Sequence, residues 1–327
     1  MPSPTGAHTE LWYRWEDPTD YAGSVDEQET RKPFGGNATL SNFEGSNNAV
    51  DIFNPNSRKK AQIIEQHFDG AASIDFEVTN PWWLGAIIAE PTTNDNGDGT
   101  YTHTWEGDLP MPMRIYAGYE DRATGGSGPM YRELIGFVAQ SVTLSVSAEG
   151  TVDASLTGAY VEEKTDTSIS SLEGQPALDH DVMTFADAML SLGGSTISLV
   201  QDASLEINNN TDIKRELGTR FGVDYSPKGF DPSIDYTQIR KDNSQVESMY
   251  GSEAATAVQQ DVESEGPMAF RMDQGGSGED VIDIGLSGAF PDTISTDNLG
   301  NPQEDLQESI NKRLKDAMAT ATNGVQT

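Results

Sequence analysis

The chain has 327 residues, 53 of them acidic against 20 basic, for a formal net charge of -33 and a pI near 4.1, and it contains no cysteine. Disulfides, zinc thiolates and cysteine nucleophiles are thereby excluded, and without Lys or Arg stripes so is charge-driven binding to nucleic acid. With 35% hydrophobic residues, five Trp and ten Tyr, the acidity belongs to a folded protein rather than a disordered polyanion, one suited to a salt-saturated interior where the Debye length falls to about 3 Å.

Residues 1–35 read as an extended, polar N-terminal arm anchored by Trp12, Tyr13 and Trp15. The arm could pack on its own domain or on a neighbouring subunit, and Trp12 and Trp15 are candidate interface residues. No basic start followed by an apolar run marks a signal peptide, and no apolar run is long enough to span a membrane. The expectation is a protein assembled in a cytoplasm, with no membrane partner.

Residues 36–165 form a first β module. Ala71–Val78, Arg114–Tyr119, Gly136–Val146 and Val152–Val161 alternate apolar and polar side chains, the period of half-buried antiparallel strands. Within this module, Pro81-Trp82-Trp83 opens a bulky apolar patch that is either core or an interface anchor, since Trp is enriched at hot spots. Asn96-Gly-Asp-Gly-Thr-Tyr-Thr-His-Thr-Trp105 is a Gly-Asp-Gly turn feeding a strand of β-branched and aromatic residues. Residues 166–195 read as a linker and a short helix over Asp181–Leu192, stopped by Gly193-Gly194.

A second β module covers residues 196–295, with strands over Thr196–Ile207, Ser233–Ile239, Met268–Met272 and Val281–Phe290. Residues 300–322 read as a C-terminal helix. Leu306, Ile310, Leu314 and Met318 recur every four residues as a narrow apolar stripe, and Glu308 and Lys312 make an i,i+4 pair worth about 0.3–0.5 kcal/mol. The stripe either covers the chain's own core or meets another subunit.

Three phrases recur in order. Ser73-Ile-Asp-Phe76 matches Ser233-Ile-Asp-Tyr236, Pro112-Met-Arg-Ile115 matches Pro267-Met-Ala-Phe270, and Asp153–Tyr160 matches Asp283–Phe290. A repeat this long is not a solenoid unit. It implies two copies of one β module in a single chain, each filling one position of a higher pseudo-symmetry.

No catalytic constellation stands out. The loop Asn94–Gly99 fits a calcium loop at Asn96, Asp98 and Gly99, but has Asn94 first and Trp105 where the bidentate Glu belongs. It therefore reads as a hairpin turn, and no metal is assigned. His8, His67, His103 and His180 show no ligand spacing, and His103 reads as a packed or edge residue in a strand. The carboxylates are too numerous for one pair to stand apart as acid and base. No cofactor is expected, and the chain is read as non-enzymatic.

Gly70–Asp75, Thr100–Trp105, Pro112–Ile115, Ile135–Leu144 and Val152–Tyr160, followed by Ala203–Asn210 and Leu217-Gly-Thr-Arg220, resemble the tail tube proteins of tailed viruses over residues 35–292. The resemblance implies a mainly β fold of tail-tube-like sandwich or barrel modules in tandem, with a few short helices. It also implies homo-oligomeric rings stacked between connector or terminator and tail-tip proteins, with DNA passing through the lumen without specific binding. Together with the acidity it points to a virus of haloarchaea. A real repeat makes the ring a trimer with pseudo-sixfold symmetry, and an accidental one makes it a hexamer. The alternatives are another virion or cell-surface β-rich adhesion protein and, further off, an acidic glycosidase-like enzyme. An acidic lumen is expected, since a basic lining would hold a polyanion that carries one charge per about 1.7 Å.

Overall fold

The computed structural model describes residues 10–23, 25, 31–56, 58–107, 109–120, 129–166, 181–251, 256–258, 264–274, 281–298 and 305–323. The first half contains β1 (Glu10–Trp15), β2 (Lys32–Pro33), β3 (Gly36–Ser46), β4 (Val50–Phe53), β5 (Lys60–Ile64) and β6 (Asp69–Glu77). A 3-10 turn (Trp82–Ala86) follows, then β7 (Pro91–Asp95), β8 (Tyr101–Trp105), β9 (Met113–Glu120), β10 (Pro129–Ser147), β11 (Val152–Tyr160) and β12 (Glu162–Asp166). The second half holds β13 (Ala188–Leu192), β14 (Ser195–Thr196), β15 (Val200–Asn208), β16 (Asp212–Lys214), β17 (Asp224–Ser226) and β18 (Asp231–Ile239). The helix α1 (Ser244–Met249) precedes β19 (Met268–Asp273), β20 (Val281–Ser287), β21 (Phe290–Asp297), β22 (Gln307–Arg313) and β23 (Asp316–Asn323).

The fold is mainly β, as the alternation predicts. Eight strands lie side by side, all antiparallel, in the order β3-β6-β11-β10-β15-β18-β22-β21. Alternation puts one side chain in two into the core. The paired row Phe76, Ala154, Leu144, Leu205, Ile234 and Lys312 is buried throughout. Each large aliphatic in it contributes about 1.5–3 kcal/mol.

The first four strands of this sheet and the last four have the same relative chain order, in the same sense, so the two halves repeat one another. The rest of the fold follows the same correspondence. The two-stranded ribbon β4–β5 sits between β3 and β6, as β16–β17 sits between β15 and β18. β1 pairs β2 and β9, as β13 pairs β14 and β19. β10 begins beside β9 and β12 and then crosses into the eight-strand sheet. In the second half β20 and β21 divide that task, β20 pairing β19 and β23, and β21 pairing β22. Near the crossing each half has one left-handed glycine, a conformation a side chain resists, Gly136 at φ 66° and Gly288 at φ 61°, at different register positions.

Three expectations are corrected. The C-terminal helix over 300–322 is two successive strands in different sheets, β22 and β23, with a bend at Leu314–Lys315; residues 300–304 lie outside the described residues. Spacing of four is also a multiple of two, so Ile310 and Leu314 satisfy a strand, while Leu306 and Met318 end up exposed. Buried Ala317, Ala319 and Ala321 show the true period. Glu308 and Lys312 hid it, because both charges point inward and neither pairs the other. Glu308 meets Arg240 at 3.1 Å, and Lys312 meets Glu265.

The second correction is the helix over Asp181–Leu192, which is a turn followed by β13. Asp187 accepts the Thr184 backbone N–H at 2.8 Å and its hydroxyl at 2.7 Å, a local closure that competes with a helix. Gly193-Gly194 is then the hairpin turn into β14. Third, the match of Asp153–Tyr160 with Asp283–Phe290 is out of place, because β11 lies in the eight-strand sheet and β20 outside it. The counterpart of β11 is β22. The other two matches hold, β6 with β18 and β9 with β19.

Lys312 stands where the first half has Leu156. Burial pushes its ammonium below the ordinary lysine pKa, while Glu265 opposes that shift; Gln245 accepts a further bond at 3.3 Å. Glu265→Ala, which strands that charge, is expected to cost about 3–5 kcal/mol. Lys312→Leu combined with Glu265→Gln, which restores the first half's chemistry, is expected to cost much less. Denaturant unfolding of the two variants checks this, and equal losses would refute it.

Candidate functional site

The outward face of the eight-strand sheet is polar because the alternate residues of every strand are. One cross-strand row runs Thr39, Asp75, Ser155, Thr143, Glu206 and Ser233. The next runs Asp153, Ser145, Ser204, Asp235 and Asn311. Hydrogen bonds tie neighbours together, with the Ser155 hydroxyl donating to Asp75 at 2.6 Å and the Asn311 amide donating to Asp235 at 2.8 Å. Among the described residues of these strands Arg313 is the one basic side chain on the face, and Asp292 pairs it at 3.3 Å. The face is therefore a lawn of hydroxyls and carboxylates that lacks the cation clusters a phosphate backbone binds.

The sheet is not closed. Among the described residues β3 pairs only β6, and β21 pairs only β22, so both end strands keep an unpaired rim of N–H and C=O groups. Such rims are templates for another chain. Core-side residues near the rims, Leu40 on β3 and Ile294 on β21, are only half-buried.

The middle of the sheet contains the same kind of seam already made. There β10, the last strand of the first half, pairs β15, the first of the second, with Leu144 opposite Leu205 and Ser145 opposite Ser204. Both leucines are fully buried. Carried through the pairings, Thr143-Leu144-Ser145 corresponds to Thr293-Ile294-Ser295, and Ala203-Ser204-Leu205 to Ala38-Thr39-Leu40. The two open rims are thus chemical copies of the two sides of the internal seam.

The candidate interface residues fall into two groups. Trp15, Trp82, Trp83, Ile310 and Leu314 are buried within the subunit. Trp83 is locked there by its indole N–H donating to the Asn80 carbonyl at 2.7 Å. Trp12 is half-buried beside Pro33, while Leu306 and Met318 are exposed at 37% and 41%. Of the two seats open to the aromatic arm, Tyr13 and Trp15 take the chain's own core; residues 1–9 lie outside the described residues.

At the end of the arm Glu16 and Glu133 each hold Arg114 at 3.0 Å, and Glu16 also accepts the Gly136 N–H at 3.1 Å, fixing the arm to the crossing bend. Burial raises the Glu16 pKa against the opposing pull of Arg114.

The Asn94–Gly99 loop is the β7–β8 turn, where Asp98 accepts the Thr100 N–H at 3.0 Å and the Thr100 hydroxyl at 2.7 Å, bonds that lower its pKa. His103 is buried between Thr93 at 2.9 Å and Asn323 at 3.0 Å, edge-on to Trp82. No helix among the described residues is long and apolar enough to cross a membrane.

Sequence reasoning missed the open rims themselves. Their signal lay in Ala38-Thr-Leu against Ala203-Ser-Leu and in Thr143-Leu-Ser against Thr293-Ile-Ser, phrases too short to stand out before the strand order is known.

A family profile described as phage tail tube protein matches residues 55–304, more than half of the chain. No curated protein matches it significantly. The chain belongs to the phage tail tube protein family, a structural component of the viral tail.

Proposed function

We propose that three copies of this tail tube subunit close a pseudo-sixfold ring by pairing β21 of one copy with β3 of the next, with the polar sheet face lining the genome channel. The observation that carries this reading is the internal seam. A chain that has already joined its first module's last strand to its second module's first strand carries the same two surfaces at its ends. Repeating one junction rotates each module by the same step, and a ring of three chains then holds six modules. In register with the internal seam, Ile294 lies opposite Leu40 of the next copy and Ser295 opposite Thr39. Rings stack into a tube held between connector or terminator and tip proteins. The acidic lining repels a polyanion at close range and offers it little to adhere to.

The surplus of acid fits assembly in a high-salt archaeal cytoplasm. Raising salt from about 0.1 M to about 1 M shortens the Debye length from about 10 Å to about 3 Å, so the fraction of chains in rings is expected to rise with salt in sedimentation. A fraction that falls would sink the halophilic reading. Mass measurement of single rings is expected to give three chains, and six would overturn the trimer. Ile294→Asp places a charge in the proposed seam at a residue that also packs half-buried on the subunit's own core opposite Ile310, so the monomer's unfolding midpoint is measured beside it. The variant is expected to weaken ring formation by about tenfold to a hundredfold, about 1.4 kcal/mol per decade, while the far-UV spectrum is retained. In an assembled tube the channel-facing charges are expected to sum to a negative number.

A further inference from the structure

The ribbon β4–β5 exposes more large apolar surface than any other described element. Ile63 and Phe53 are 58% and 54% exposed, and Val50, Ile52 and Ile64 are each 40% or more. A two-stranded ribbon alone in water is marginal at best, and apolar surface concentrated like this marks a contact.

Its counterpart in the repeat, β16–β17, has found its seat, and the seat is the first module. Tyr225 on β17 is buried, its hydroxyl donating to the Pro110 carbonyl at 2.8 Å and its ring lying 5.1 Å from that of Tyr21. A Cβ on Gly222 would come within 2.5 Å of Val161. The residues leading into this ribbon lengthen the internal seam. Asn209 donates its backbone N–H to the Gln140 carbonyl at 2.8 Å, and the Thr211 hydroxyl donates to the Ala139 carbonyl at 3.1 Å.

The residues leading into β4–β5 have the same form but are held only at their base, where Arg220 donates to the Asn47 side-chain oxygen at 2.8 Å and to the Gln66 carbonyl at 3.0 Å, while the apolar side chains of the ribbon stay exposed. Asn47-Asn48 follows β3 as Asn209-Asn210 follows β15, with Asn48 at φ 44° and Asn210 at φ 47°. Yet Asn209 is 2% exposed, whereas Asn47 lies on the surface. By the strand pairings Ala139 and Gln140 of the first module correspond to Gly288 and Ala289 of the second. Beside these lies half-buried Phe290, with the Lys315 ammonium 5.8 Å over its ring.

From this we infer that β4–β5 docks on the second module of a neighbouring copy, around Gly288, Phe290 and Lys315 of the partner subunit, as β16–β17 docks on the first module of its own chain. The inference rests on the ring reading, because the neighbour is the copy whose β21 meets β3. The occupant is a second copy of this chain, since the precedent is this chain's own second ribbon on its own first module. The contact is lateral, within one ring.

The test places a benzophenone amino acid at Ile63 of the full chain and irradiates isolated single rings. The expected adduct joins Ile63 to residues 288–291 or 313–316 of a different chain. Ile52→Ser with Ile63→Ser, both at solvent-exposed positions, is expected to leave the monomer's unfolding midpoint unchanged and to reduce ring formation at least tenfold. Adducts that form only in stacked tubes would overturn the inference in favour of a contact between rings, with the ring reading intact. Adducts within one chain, or undiminished rings from the double variant, would also overturn it. If the unaltered chain forms no rings at any salt, the ring reading fails and this inference with it.

Discussion

The structure depends on the need of strand rims for hydrogen bonds. Every interior strand of the eight-strand sheet has partners on both sides, and the two end strands have one each. Backbone N–H and C=O groups are obligatory partners, costly to leave unmet in an interior. Among the described residues, β3 and β21 each leave one rim without a strand partner. Soluble monomers blunt such rims with charge, bulges or covers. Here β3 shifts register near Gly36 and again near Leu40, and β21 does so near Pro291, yet both keep an aliphatic pointing at the core side of the rim. Those residues are suited to a seam.

The same alternation that builds the core fixes the chemistry of the other face. Strands with an apolar residue at every second position leave Ser, Thr, Asp and Glu on the opposite side, and pairing lines them up in rows. Polarity of that face costs the fold little, because the hydroxyls and carboxylates bond one another and water. If that face lines the channel as proposed, cations would be the costly addition, since each would hold a phosphate. A subunit can thus have a stable sandwich interior and a non-adhesive outer face from one period-two pattern.

Much of this was legible in the sequence. Ser73-Ile-Asp-Phe and Ser233-Ile-Asp-Tyr announce half-buried strands because each puts a hydroxyl and a carboxylate on the side away from two apolar residues. Legibility fails where buried positions carry charge. Glu308 and Lys312 read as a solvent-facing helical pair, because no local rule reveals that Arg240 and Glu265 wait inside. It fails again where one local signal serves two structures, as Gly193-Gly194 can end a helix or turn a hairpin. Sheet membership is not a local property at all. β11 and β20 look alike as strings, and only their neighbours distinguish them. The interface candidates show the same limit, since Trp82, Trp83 and Leu306 are all apolar in sequence, and burial alone separates them.

The two modules are not interchangeable, and the reason lies in β7–β8. This hairpin belongs to the first half, yet β8 pairs β23 and so joins the second half's sheet, which runs β14-β13-β19-β20-β23-β8-β7. His103 and Trp105 sit on that weld, and the Asn323 side chain reaches His103 diagonally across it at 3.0 Å, which explains why a polar ring is buried in the middle of a strand. The second half carries α1 at the corresponding place in the chain and, among its described residues, has no hairpin to offer in return. In the proposed ring, a junction between chains would have the strand seam and the ribbon contact but lack this third attachment. On that reading the join inside the chain is the stronger of the two. In the proposed ring, the join between covalent pairs of modules would then be the weaker one, and so the step at which assembly could be controlled.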